Sequence, residues 1–171
     1  MNLQDFSRQI LPLQNKLFRF AKRILDHRED AEDIIQEVFM KLWDRRDLLD
    51  AYRSVEALAM TVTKNMCLDR LKTKKYLVDR MEDHSRFLEN LPEVMQKDLS
   101  DEILRVKQAM KALPQAQQLI MHLRDIEGYD FESIGEILDM SENAVRVNLS
   151  RARKRIREQL SANFIYDYQR N

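Results

Sequence analysis

Two glycines and three prolines in 171 residues leave little material for hairpin turns, so the chain is read as all-α. One cysteine, Cys67, excludes an intramolecular disulfide and any multi-cysteine zinc site. The three histidines, His27, His84 and His122, share no ligand spacing, and no metal is expected. Long apolar runs are missing too, and the opening MNLQDFSRQI lacks the charged-then-apolar layout of a signal peptide, which points to the cytoplasm and against membrane insertion. There is no P-loop, no GxGxxG and no nucleophile elbow. Acidic pairs such as Asp30 and Asp33 sit on an exposed helical face rather than in an evident pocket, so the expectation is no catalytic residue, no cofactor and no enzymatic activity.

Charge of one sign is absent overall: 29 basic and 29 acidic residues give a formal net charge of +0. The charge is placed locally instead. Between Glu142 and Leu160 six basic residues face two acidic ones, whereas Asp26 to Asp50 holds nine acidic and four basic. The basic stretch ends DFESIGEILDMSENAVRVNLSRARKRIR (Asp130 to Arg157), which reads as two helices around a tight turn. Asp130 is the expected cap of the first helix, which buries Phe131, Ile134, Ile137 and Leu138. Asp139 and Met140 turn the chain, and Ser141 caps the second helix, whose buried stripe is Val145, Leu149, Ala152 and Ile156. Asn143, Arg146, Val147 and the N-terminal Ser141 and Glu142 would approach base edges. Ser150, Arg151, Arg153, Lys154 and Arg157 would lie nearer phosphates.

Upstream, an apolar stripe from Phe6 to Ile24 predicts a helix over Leu3 to Leu25, with Pro12 as a kink or late start. A second helix, Asp30 to about Asp44, buries Ala31, Ile34, Ile35, Val38, Phe39 and Leu42 opposite Asp33, Gln36, Glu37 and Lys41. A third, from near Ser54 to Lys74, buries Val55, Leu58, Val62, Met66 and Leu71 and ends basic. Pro92 and a weakened pattern mark residues 77–100 as a linker, anchored by Phe87, Leu88 and Leu91. Regularity resumes at Asp101 with Ile103, Val106, Met110 and Leu113. After Pro114 a helix burying Leu119, Ile120, Leu123 and Ile126 ends near Gly128. The fold expected is two small helical domains, 1–76 and 101–171, the second closing in a helix-turn-helix.

Three segments in order, DAEDIIQEVFMKLW (Asp30 to Trp43), KNMCLDRLK (Lys64 to Lys72) and ALPQAQQLIMHLRDIEGYDFESIGEILDMSENAVRVNLSRARKRIRE (Ala112 to Glu158), resemble the sigma-70 family of bacterial RNA polymerase sigma factors, in particular its small two-domain extracytoplasmic-function group. The resemblance implies that Asp33, Gln36 and Glu37, with Met40 and Lys41 at the edge, grip the clamp helices of the largest subunit of core RNA polymerase. It also implies that Tyr52 to Lys75 melts and holds the −10 promoter element, with Tyr52, Arg53, Asn65, Arg70 and Lys72 of suitable chemistry. The basic helix would then dock in the −35 major groove. An anti-sigma factor packed against both domains is implied as a further partner. The competing reading of the residues is a free-standing dimeric helix-turn-helix regulator, which would bind a palindrome without polymerase.

Overall fold

Pro12 divides what the apolar stripe presents as one helix. The computed structural model describes residues 2–80 and 101–168. In it α1 (Leu3–Gln9) is capped by Asn2, whose Oδ1 accepts from the Asp5 amide at 2.8 Å. A 3₁₀ turn at Leu11–Leu13 holds Pro12 in its first positions, where no amide donor is needed, and α2 (Gln14–Leu25) comes next. Asp26 ends α2 in the left-handed region at φ 53°, a conformation aspartate tolerates. Beyond it lie α3 (Arg28–Asp44) and the short α4 (Arg46–Leu49). The long α5 (Val55–Arg80) begins where the Ser54 hydroxyl accepts from the Ala57 amide at 3.1 Å.

The expected buried stripe of α5 is only half-buried at Val55, Leu58, Val62, Met66 and Leu71. The fully buried positions are instead Ala57, Ala59, Met60, Thr63, Lys64 and Cys67. The reason is packing on more than one side: α5 lies against α2 and α3 and also against a helix of the second half. A helix covered on several faces has no single apolar stripe to read. It also continues four residues into the expected linker. Phe87, Leu88, Leu91 and Pro92 fall outside the described residues.

The second half comprises α6 (Asp101–Lys111), α7 (Gln115–Met121), α8 (Phe131–Leu138) and α9 (Glu142–Tyr168). Pro114 precedes α7 as expected. Past Met121 the chain widens into a π turn, His122–Ile126, in which the Glu127 amide donates to the His122 carbonyl at 3.0 Å, five residues back. That widening shifts the helical phase of the residues at its end, so Ile126, expected inside, stands 55% exposed. Gly128, at φ 78°, then reverses the chain with the positive dihedral that glycine adopts without strain. Ile103 and Val106 on α6 are likewise exposed, while Ala109 and Leu113 are buried.

No strand occurs among the described residues. The buried side chains form one contiguous cluster running through both halves rather than two separate cores. Within the first half α2, α3 and α5 pack together; within the second, α9 packs on α6, α7 and α8. Across the halves α5 packs on α8 and α2 on α7, with the Phe20 and His122 rings 5.8 Å apart between centroids. Residues far apart in sequence therefore share one interior.

Candidate nucleic-acid interface

The turn between α8 and α9 is built from three local devices. Asp130 Oδ1 accepts from the Ser133 amide at 2.7 Å, which fixes the start of α8 and holds the Asp130 carboxyl below its ordinary range. Asp139 closes α8 in the left-handed region at φ 56°. Gly135 sits against the returning chain, and a Cβ there would lie 2.6 Å from the Met140 carbonyl oxygen. Ser141 Oγ then accepts from the Ala144 amide at 3.2 Å, opening α9. Val145, Leu149, Ala152 and Ile156 are all buried, matching the expected stripe.

The opposite face of α9 is solvent-exposed: Ser141, Glu142, Asn143, Arg146, Val147, Ser150, Arg151, Arg153, Lys154 and Arg157. Arg146 lies over the Phe131 ring at 4.1 Å and donates to Glu142 at 3.1 Å, so its guanidinium is aimed from both sides. Two of the basic residues serve the fold as well. Arg153 pairs with Asp125 of the π turn, and Arg155 donates to Gln117 on α7 at 3.2 Å. Lys154 stands 3.8 Å from Glu158, a loose exposed pair.

On α3, Asp33, Gln36, Glu37, Met40 and Lys41 are exposed together on one face, with Met40 66% exposed. An unbranched thioether at the edge of that polar face leaves apolar surface in water. Glu37 is not isolated: Arg70 of α5 donates to it at 2.8 Å and lies 3.8 Å from Asp30. The structure thus joins a residue expected to touch polymerase to one expected to touch DNA.

The remaining residues expected to hold the −10 strand fall in two groups. Tyr52, Asn65 and Lys72 are exposed, Lys72 lying 3.5 Å from Asp69. Arg53 is exposed too, but it is engaged by the second half: its Nη1 donates to Glu132 at 2.7 Å and its Nη2 to the same carboxylate at 3.3 Å, with Glu136 at 4.0 Å. The pairing raises the arginine and lowers the Glu132 carboxyl, chiefly through that hydrogen bond. Nearby Lys64 is buried, and desolvation lowers its pKa against the opposing pull of Asp139. Sequence reasoning missed Glu132 and Glu136 as partners, because acidic residues on the outer face of a short helix read as solvated charge.

Beside this seam lies a polar junction. Glu56 on α5 accepts from Lys16 at 2.6 Å and from the Tyr129 hydroxyl, while Arg19 on α2 makes a two-pronged pair with Glu127 at 2.7 Å on each arm. Burial and that hydrogen bond push the Tyr129 phenol up, and the Arg19 hydrogen bond holds Glu127 down.

Comparison with known proteins identifies two family regions in this chain. The family described as Sigma-70 region 2 matches residues 10–76, and that described as Sigma-70, region 4 matches 103–156. The ECF RNA polymerase sigma factor SigW of Bacillus subtilis is 28% identical over 160 residues, covering 86% of this chain and 84% of the relative. The RNA polymerase sigma-E factor of Streptomyces coelicolor is 26% identical over 161 residues, covering 92% and 87%. Among solved structures, the sigma factor RpoE of Bartonella quintana, in complex with the anti-sigma factor NepR, superposes with a TM-score of 0.79 at 23% identity, covering 93% of this chain and 98% of that one. Two family regions matched in order, on an all-helical fold that ends in a capped helix-turn-helix with an exposed basic face, show that this chain belongs to the sigma-70 family and is a sigma factor of the extracytoplasmic-function group.

Proposed function

We propose that the three exposed surfaces divide the work of promoter-specific initiation. The α3 face (Asp33, Gln36, Glu37, Met40, Lys41) docks on the clamp helices of core RNA polymerase. Tyr52, Arg53, Asn65, Arg70 and Lys72 track the −10 strand. The outer face of α9 enters the −35 major groove. In this reading 1–76 and 101–171 are the working domains and 77–100 is the tether. The chain works in the cytoplasm, lends DNA recognition to an enzyme, and catalyses nothing itself. An anti-sigma factor is its natural antagonist, as the solved neighbour's complex with one suggests.

The observation that carries this reading is the pair of solvent-exposed faces. The polar α3 surface and the basic α9 surface both lie outside the shared core, and both are presented to solvent. Family membership displaces the dimeric-regulator alternative. The test is transcription from a library of native promoter fragments, with core polymerase and with the chain added or withheld. The proposal expects new start sites only when both are present. Tight polymerase-independent binding to a palindrome would overturn it.

A further inference from the structure

One apolar side chain on α9 is turned away from the core. Val145, Leu149, Ala152 and Ile156 are buried, and at 3.6 residues per turn Val147 stands about half a turn away from that stripe. It is 38% exposed, the one large apolar side chain exposed on α9 among the described residues. Its surroundings are polar: Asn143 lies one turn before it, and Ser150 and Arg151 one turn after, all exposed. We infer that Val147 reads the 5-methyl group of a thymine in the −35 element, so that the centre of the recognition face selects a base by apolar contact rather than by a hydrogen bond. The inference rests on the proposed docking of α9 in the −35 major groove.

A helix that packs on one side meets a groove with the opposite side, and Val147 occupies the middle of that side. Valine neither donates nor accepts a hydrogen bond through its side chain, and the apolar group that a base pair offers in the major groove is the thymine methyl. Any other base edge facing Val147 would give up a hydrogen bond to water and receive none in return, so the contact discriminates as well as attracts. The branched side chain suits this use. On a helix it is nearly confined to one rotamer, and its methyls are held in place before DNA arrives. The residues on either side of it in the chain are engaged elsewhere: Asn148 turns its amide back to the Ala144 carbonyl at 2.9 Å, while Arg146 is held at the Phe131 ring and Glu142. Four residues of helix rise about 6 Å, close to two base steps at about 3.4 Å each. Asn143 and Arg151 therefore bring hydrogen-bonding groups within reach of the base pairs on either side of the thymine.

The test uses core polymerase with the full chain and a promoter fragment on which the two initiate transcription, its −35 segment first randomised and reselected by binding. Each thymine of the selected segment, on either strand, is then replaced in turn by deoxyuridine, which removes the 5-methyl group and keeps every hydrogen-bonding group. With the native chain one such replacement should weaken binding by about three- to fivefold, the worth of a methyl group taken out of water. With Val147→Ala the thymine and deoxyuridine fragments should bind alike, both more weakly than the native chain binds thymine. The substitution removes no core contact, and circular dichroism confirms that the helices are intact. A selected segment without thymine, a segment in which no deoxyuridine weakens binding, or a loss that persists undiminished in Val147→Ala overturns the inference and leaves the −35 role of α9 standing. If the segment returns from selection with no preferred sequence, that role fails, and the reading of thymine fails with it.

Discussion

Arg146, proposed to read a −35 base edge, has its position set by two neighbours. Its backbone belongs to the second turn of a well-capped helix, its guanidinium lies over the Phe131 ring at 4.1 Å, and Glu142 holds it at 3.1 Å. A flexible arginine so placed loses less rotamer freedom on meeting a guanine edge, where it can donate two parallel hydrogen bonds. Arg153, by contrast, is tied to Asp125, and Arg155 to Gln117, so part of the basic run braces the fold. Arg146→Ala should cost about 1–3 kcal/mol at one or two −35 base pairs and little elsewhere. Binding across a −35 substitution library checks this. A uniform loss on every sequence would reduce Arg146 to a phosphate contact.

At the scale of elements, the helix-turn-helix was legible because its signals are local. Asp130, Asp139 and Ser141 act within a few residues of themselves, and the α9 stripe packs on one side only. Gly135 tests how tight that turn is. It lies inside α8, where alanine is intrinsically the better helix former, yet an added Cβ would meet a backbone carbonyl oxygen at 2.6 Å. Gly135→Ala should therefore destabilise the chain by about 1–3 kcal/mol despite its helix propensity, read as a lowered urea midpoint. The features hidden from the sequence arise from non-local packing. The burial pattern of α5 depends on α8, 50 and more residues away, and the exposure of Ile126 depends on a π turn that no apolar period announces. The roles of Glu132, Glu136 and Tyr129 across the seam were invisible for the same reason. The α3 face, again one-sided, was read directly from its spacing. Replacing Asp33, Gln36 and Glu37 by Ala should leave helical content unchanged, because all three lie opposite Ile34, Ile35 and Val38, and should abolish association with core polymerase. The Glu37 contact to Arg70 adds a control: Arg70→Gln alone should leave polymerase affinity intact while weakening strand capture. Pull-down with core polymerase reads the first effect, and unchanged affinity in the triple variant would remove the docking assignment.

At the scale of the whole molecule, the shared core makes the relation between the halves sensitive to acid. His122 lies at the seam, buried, against the Phe20 ring, with Glu127, Arg19 and Arg23 as its charged neighbours. Its Nε2 is 3.3 Å from Glu127, within ion-pair distance. Desolvation dominates: the imidazole pKa is pushed down to about 4 from an ordinary 6.5, with the two arginines adding to the fall and Glu127 opposing it. A depressed pKa in the folded chain means that the unfolded chain takes up the proton first. Well above pH 6.5 the group is neutral in both states and contributes no pH dependence. Between about 6.5 and 4 the unfolded state gains protons and the folded chain does not, so stability falls, by about 3 kcal/mol across the whole window. Glu127 extends the loss at lower pH, since its carboxyl is held below the ordinary range by Arg19 and its protonation breaks that pair. Urea midpoints of the full chain at pH 7.5, 6, 5 and 4.5 should therefore decline. The residue-specific part belongs to His122→Asn, which keeps a polar side chain of similar reach but cannot titrate. That variant should be less sensitive to pH between 6.5 and 4.5 than the native chain, whatever its starting stability. If the two slopes coincide over that interval, His122 is not the group that couples acid to the stability of the fold.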